Sequence, residues 1–167
     1  MLTIPEPLKS THQLDMFSSG EVSLDLWLKN RAMNNQKTGA SRTFVTTSDN
    51  QVMGYYALST GMITANQVVG RFRRNMPIDI PIVLLARLAV DTRAKGLGIG
   101  RGLVKDAGCR VVQAFGIVGI RGMIVHAISD DAKQFYEHIG FVASPLDPMM
   151  LMITLADLQF AMGIHSN

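Results

Sequence analysis

The stretch Arg93-Ala94-Lys95-Gly96-Leu97-Gly98-Ile99-Gly100-Arg101-Gly102 decides the fold. It follows an apolar run at 82–90 and leads into a segment where Ile99, Leu103, Val104, Ala107, Val111 and Ala114 recur at helical spacing. Strand, glycine loop and helix in that order form a phosphate cradle. Glycine at 96, 98, 100 and 102 leaves the backbone without Cβ atoms, so a bulky anion can approach several N–H groups at once. The helix that begins there adds unpaired N–H donors and the positive end of its dipole. Arg93 and Lys95 stand at the mouth of the loop, where their charge meets the same anion. A nucleotide pyrophosphate is the expected ligand, held by Arg93, Lys95, Gly96, Leu97, Gly98, Ile99 and Gly100.

Spacing narrows the nucleotide. A dinucleotide fingerprint begun at Gly96 needs glycine at 101, where Arg101 stands. It also needs a carboxylate about 20 residues on, and 115–120 are all apolar or glycine. A Walker loop begun at Gly96 needs Gly-Lys-Ser/Thr at 101–103, and the chain has Arg101-Gly102-Leu103. What remains is Arg-x-x-Gly-x-Gly after a strand, which resembles the acyl-CoA loop of the GNAT acetyltransferase family. The bland alternative is a glycine-rich turn that lets a strand meet a helix.

The 167 residues fit a single domain spanning 1–167, and folding at this length buries roughly 70% of the unfolded surface. Hydrophobic residues at 47% with 17% charged exclude disorder. No run of about 18 apolar residues occurs, and residues 1–7 lack a basic region before an apolar one. A cytoplasmic protein without a membrane partner is expected. Cys109, the single cysteine, has no partner for a disulfide or a zinc site, and no metal is expected. It falls opposite the apolar stripe of its helix, as a surface or interface thiol.

A net charge of +3 conceals an uneven distribution. Lys29, Arg31, Lys37 and Arg42 lie in the first quarter, Arg71, Arg73 and Arg74 form a tight cluster, and Arg87 precedes the loop. A solvated face explains a charge run by itself. Beside a nucleotide loop the cluster becomes a candidate contact for a phosphate backbone.

Along the chain, Leu24, Trp27 and Leu28 mark one face of a helix that Ser23 can cap, with Trp27 a core anchor. Residues 34–41 are polar and read as a helix exit and loop. Residues 43–47 and 52–58 read as two strands of a hairpin around Ser48-Asp49-Asn50. Gly54 inside the second signals a bulge or close backbone approach. Gly61, Gly70, Pro77 and Pro81 bracket an excursion of short helix and loop. Residues 82–90 are a buried central strand. A helix over 98–115 then returns to a parallel strand at 122–128. Asp130 or Ser129 caps a helix over 131–139 that Gly140 stops. Residues 141–142 and 149–155 supply the last strands. His126 reads as a core or cleft residue, and His138 as a favourable partner for a helix C-terminus.

Over residues 17–158 the chain resembles GNAT acetyltransferases, and within that family it is most similar to toxins of bacterial toxin–antitoxin pairs that acetylate aminoacyl-tRNA. The resemblance is carried by Phe17-Ser18-Ser19-Gly20 with Leu24-Asp25-Leu26-Trp27-Leu28, and by Leu85-Ala86-Arg87-Leu88-Ala89-Val90-Asp91. The glycine loop and Ala132-Lys133-Gln134-Phe135-Tyr136-Glu137-His138-Ile139-Gly140-Phe141 complete it. It implies an α/β fold, a central mixed sheet flanked by helices, with acetyl-CoA as cosubstrate. Backbone N–H groups of Leu88, Ala89 and Val90 would hold the pantetheine arm and polarise the thioester carbonyl. Tyr136 matches the family's catalytic tyrosine, which hydrogen-bonds the departing sulfur. Ordinary pKa values of about 8.5 for a thiol and 10 for tyrosine make full proton transfer uphill by roughly 2 kcal/mol, so stabilisation by hydrogen bonding is expected. The resemblance further implies an aminoacyl-tRNA substrate touched by Arg71, Arg73, Arg74 and Arg87. It also implies a ribbon-helix-helix antitoxin, operator DNA reached through the antitoxin complex, and a homodimer.

No general base is evident. Residues 84–90 carry no carboxylate, and Asp91 reads as a strand cap. A lysine side chain is about 0.1% neutral at pH 7.4, whereas an α-amine is roughly a quarter neutral and needs little help. Two other readings use the same residues. One is an acetyltransferase acting on a small or protein amine. The other is a basic module whose loop grips nucleic-acid phosphates while no acyl group moves.

Overall fold

The computed structural model describes residues 1–165. Its elements follow in the order β1 (Glu6–Pro7), α1 (Val22–Asn30), α2 (Ala32–Thr38), β2 (Arg42–Ser48), β3 (Gln51–Thr64), α3 (Gly70–Arg73), β4 (Asp79–Val90), α4 (Ile99–Phe115), β5 (Gly122–His126), α5 (Asp130–Ile139), β6 (Val142–Ala143), β7 (Met150–Thr154) and α6 (Leu155–Met162). Short 3-10 turns occupy Ala65–Gln67 and Thr92–Ala94. Hydrogen bonding orders the strands β1-β2-β3-β4-β5-β7-β6 in a seven-stranded sheet. The β4/β5 pair is parallel, and β1/β2, β2/β3, β5/β7 and β6/β7 are antiparallel, giving the expected mixed sheet. The chain divides into two compact units, one made of Met1–Ser59 with Ala86–Asp106 and the other of Thr60–Leu85 with the chain from Ala107 onward.

In the first unit, the β2–β3 hairpin turns on Asp49 (φ 49°) and Asn50 (φ 66°), the paired left-handed conformations of a two-residue turn whose twist matches its strands. The register slips between Thr46, opposite Gly54, and Thr47, opposite Val52, leaving Met53 as the bulged residue. A Cβ on Gly54 would lie 3.2 Å from Thr46 Cγ2 and 3.3 Å from Ile99 and Leu103, so the bare glycine also lets α4 approach. Phe17, Leu24, Leu28, Val45, Tyr55 and Ala89 form the core, with Trp27 half-buried against it and stacked on Tyr55 at 6.0 Å and 7°. Ser23 lies inside α1, behind an N-cap at Glu21 that makes no side-chain cap. The polar segment read as a helix exit is α2, ended by Gly39 in the left-handed conformation.

In the second unit, the parallel ladder runs from Ile82 opposite Gly122 to Leu84 opposite Ile124. Val68, Phe72, Ile80, Ile82, Ile124 and Met152 pack as its core. A Cβ on Gly122 would fall 2.2 Å from Ile153 O and 2.8 Å from Phe72 Cε2, so the crossing of β5, β7 and α3 requires glycine there. The Ser129 hydroxyl caps α5 by accepting from Ala132 N at 3.1 Å, and Gly140 (φ 127°) ends it. Pro81 sits inside β4 and not in a loop, because the group used there is its carbonyl, which accepts from Arg121 N at 2.8 Å. β3 extends to Thr64, and Leu155–Met162 forms α6, unanticipated from the sequence, with Leu155, Leu158 and Met162 buried. His126 is exposed at the end of β5, not in a core, whereas His138 places Nδ1 2.7 Å from Gln134 O in the last turns of α5.

Candidate active site

The first unit holds the glycine loop and residues 86–90 of the strand before it. Beyond Leu84, paired with Ile124 of β5, β4 continues through Leu88, Ala89 and Val90, with Ala89 buried against the core and its neighbours half-buried. Asp91 then turns the chain. Its side chain is 1% exposed, and its carboxylate accepts from Arg93 N at 2.8 Å, Arg93 Nε at 2.9 Å, Arg93 Nη2 at 3.0 Å and Ser18 N at 3.0 Å. Burial alone would raise the carboxyl. The Arg93 guanidinium, the two backbone N–H groups and the arginine's charge outweigh it and hold the pKa at about 2. Asp91 is thus a structural anion, saturated with donors, and the strand offers no free carboxylate.

Beyond it, Gly96 (φ 80°) and Gly98 (φ 75°) take left-handed conformations, and Cβ atoms built on either would meet nothing within 4 Å. The open space lies in front of α4, whose first intrahelical N–H is that of Gly102, donating to Gly98 O at 3.1 Å. The N–H groups of Ile99, Gly100 and Arg101 therefore precede the ladder, as orphan donors do at any helix start. Backbone N–H groups beside open glycines could hold an anion there. The two cations at the mouth of the loop are held by protein groups: Arg93 by Asp91 and by Gln51 Oε1 at 3.2 Å, and Lys95 Nζ by Ser19 O at 2.7 Å.

Three further residues support the loop. Asp25 of α1 accepts from Ser19 N at 3.0 and 3.1 Å and from Ser19 Oγ at 2.6 Å. Ser18 donates its N–H to Asp91 and accepts from Thr92 N at 2.9 Å. A chain of hydrogen bonds thus runs from α1 through residues 18–19 to both ends of the Thr92–Ala94 turn. Periodicity cannot reveal Ser18, Ser19 and Asp25, but they lie within the quoted segments Phe17-Ser18-Ser19-Gly20 and Leu24-Asp25-Leu26-Trp27-Leu28. Arg87 of β4 lies with its Cζ 5.2 Å from the Trp27 ring centroid, a cation–π contact of about 0.5–1 kcal/mol.

The second unit carries Tyr136 on the buried face of α5, 6% exposed, with Phe135 and Phe141 edge-on at 5.0 and 5.4 Å. Burial pushes its hydroxyl well above the ordinary tyrosine range, so it stays protonated. Arg71, Arg73 and Arg74 cluster on and beside α3, all exposed, while Phe72 between them is 1% exposed and anchors the helix. Arg71 forms a bidentate pair with Asp157, Nε to Oδ2 at 2.6 Å and Nη2 to Oδ1 at 2.5 Å. Arg73 Nη1 donates to Val68 O at 2.8 Å. Among the described residues no group of His, Cys, Asp or Glu is arranged to hold a metal ion, and no helix is long and apolar enough to cross a membrane.

Residues 39–143 match the family described as Acetyltransferase (GNAT) domain. The chain is 44% identical over 159 residues to a protein of Mycobacterium tuberculosis (strain ATCC 25618 / H37Rv) named tRNA-acetylating toxin, covering 95% of this chain and 96% of that one. Among solved structures, AtaT complexed with acetyl-methionyl-tRNAfMet is similar at TM-score 0.88 and 28% identity, covering 96% of this chain and 98% of that one. A tyrosine-to-phenylalanine mutant of AtaT, bound to acetyl-CoA and the C-terminus of the antitoxin AtaR, is similar at TM-score 0.82 and 28% identity, covering 95% and 96%.

Proposed function

The chain belongs to the GNAT acetyltransferase family, and from that premise we propose that it transfers the acetyl group of acetyl-CoA to the α-amine of aminoacyl-tRNA, as the toxin of a toxin–antitoxin pair that blocks translation. The observation that carries this reading is the near full-length likeness to the mycobacterial tRNA-acetylating toxin. Local chemistry agrees with it. Asp91 is committed to Arg93 and Ser18 and cannot take a proton from an acceptor. Such a site suits an α-amine, already partly neutral near pH 7.5, better than a lysine side chain.

Acetyl-CoA supplies the activated acyl group. The backbone of Gly96, Leu97, Gly98, Ile99 and Gly100 would hold its pyrophosphate, with Arg93 and Lys95 shaping the loop as well as adding charge. Leu88, Ala89 and Val90 would bind the pantetheine amides and orient the thioester carbonyl. Tyr136 would donate a hydrogen bond to the departing sulfur. Its raised pKa makes complete transfer of that proton less favourable than ordinary values suggest, so stabilisation of the thiolate is its role. Arg71, Arg73, Arg74 and Arg87 would contact tRNA phosphates, Arg87 from its place over the Trp27 ring. The protein would work in the cytoplasm as a homodimer and a single catalytic domain. A ribbon-helix-helix antitoxin would neutralise it and link it to operator DNA.

Incubating purified protein with labelled acetyl-CoA and charged tRNA tests the reading. N-acetyl-aminoacyl-tRNA is the expected product. Turnover of a small amine at full rate without RNA would replace this reading with that of a metabolic acetyltransferase, and absence of any CoA binding in calorimetry would remove both.

A further inference from the structure

The Arg71–Asp157 pair occupies the fork of guanidinium N–H groups that a phosphate would use. Both partners are accessible, with side chains 69% and 32% exposed. An ion pair so placed contributes little to folding, and its bidentate geometry is the one arginine uses to grip phosphate. Neighbouring bonds fix the two partners independently. On the arginine side, Arg121 Nε donates to Phe72 O at 2.7 Å and Arg121 Nη2 to Arg71 O at 2.8 Å, pinning the backbone of α3. On the other side, Thr154 Oγ1 caps α6 by accepting from Asp157 N at 3.1 Å. Asp157 therefore stays in the first turn of α6, where the helix dipole favours its charge whether or not Arg71 is paired with it.

Building on the tRNA-acetylating reading above, we propose that Asp157 is an internal competitor for tRNA phosphate. Its carboxylate stands in for the phosphate on Arg71 while the protein is free and yields the fork when RNA arrives. The exchange costs little, because Asp157 keeps its place at the helix start and returns to water. It also sets a threshold. A lone or badly presented anion gains nothing by displacing a carboxylate already in place. A polyanion that also meets Arg73 and Arg74 gains their contacts as well. Asp157 thus tunes discrimination between tRNA and weaker polyanions, and it is a positioning residue acting through Arg71.

Fluorescence anisotropy with bulk deacylated tRNA at low salt tests this in wild type, Asp157→Asn, Arg71→Gln and the double variant. Asp157→Ser serves as a second removal of the carboxylate, and thermal unfolding checks that each variant is folded. Removing the carboxylate should tighten binding about two- to fivefold, the range of an exposed ion pair. Arg71→Gln should then cost more in the Asp157→Asn background than in wild type, because the arginine no longer gives up a partner to bind. With charged tRNA the same change should lower KM and leave kcat in place. Unchanged or weaker binding by both Asp157 variants, a smaller Arg71→Gln penalty in the Asp157→Asn background, or the same gain without Arg71 would each overturn the proposal. Wild type that neither binds nor acetylates tRNA would instead overturn the functional reading beneath it.

Discussion

Asp91 sits at the junction of strand and loop, and its chemistry sets an acid limit. Its folded pKa of about 2 lies below the ordinary 3.8, so the stabilisation it gives is complete above about pH 4 and is lost as pH falls toward 2. A shift of that size is worth about 2 kcal/mol. Urea midpoints measured from pH 6 down to 2.5 should show this acid loss, and Asp91→Asn should flatten it while lowering stability at neutral pH. Tyr136 works at the opposite end of the scale. Because its hydroxyl remains protonated, no alkaline limb from this residue should appear in the rate profile up to about pH 10. Tyr136→Phe should lower kcat about 10²-fold with little change in acetyl-CoA affinity. Retained full activity would remove the hydroxyl from the reaction.

Single elements owe their positions to a few contacts that local sequence conveys well or badly. The glycine loop, the hairpin and the β4–α4–β5 crossover were legible because each is written in adjacent residues: turn formers at 49–50, glycines at alternate positions, and an apolar stripe along α4. Two helices were not. Ala32–Thr38 mixes strong helix formers with Asn34, Asn35 and Thr38, which are weak ones, and carries no apolar stripe; its ending on Gly39 was the signal available. Leu155–Met162 is apolar nearly all round, so its periodicity merges with the β7 strand before it. The need for glycine at 122 was equally hidden, since it arises from Ile153 and Phe72, each at least 30 positions away in sequence. Gly122→Ala should destabilise the second unit by about 3 kcal/mol. Hydrogen exchange would read this as loss of protection in β5 and β7, and native stability in that variant would refute the close crossing.

At the scale of the whole molecule, a net charge of +3 is too small to attract RNA unaided, so recognition depends on where the arginines sit. Arg73→Glu with Arg74→Glu should weaken tRNA binding and reduce the slope of log affinity against log salt by about two, leaving the calorimetric affinity for CoA unchanged. Equal loss of both would place these residues in folding. The strand, glycine loop and helix of the proposed donor site were readable because they form a contiguous motif. Its supports were harder to read: Ser18 and Ser19, the latter held by Asp25, act on residues more than 60 positions later, and Asp157 meets Arg71 across a gap as wide. The same long separations govern how the chain is made. The first unit is interrupted, since Met1–Ser59 cannot close until Ala86–Asp106 has been synthesised. The proposed nucleotide cradle lies wholly in that later piece, as does Asp91, the residue that Ser18 must find. While the ribosome is still adding residues 60–85, the nascent chain has neither, so on this proposal it cannot engage its cosubstrate. For a protein proposed to halt translation, catalytic competence therefore arrives late in its own synthesis.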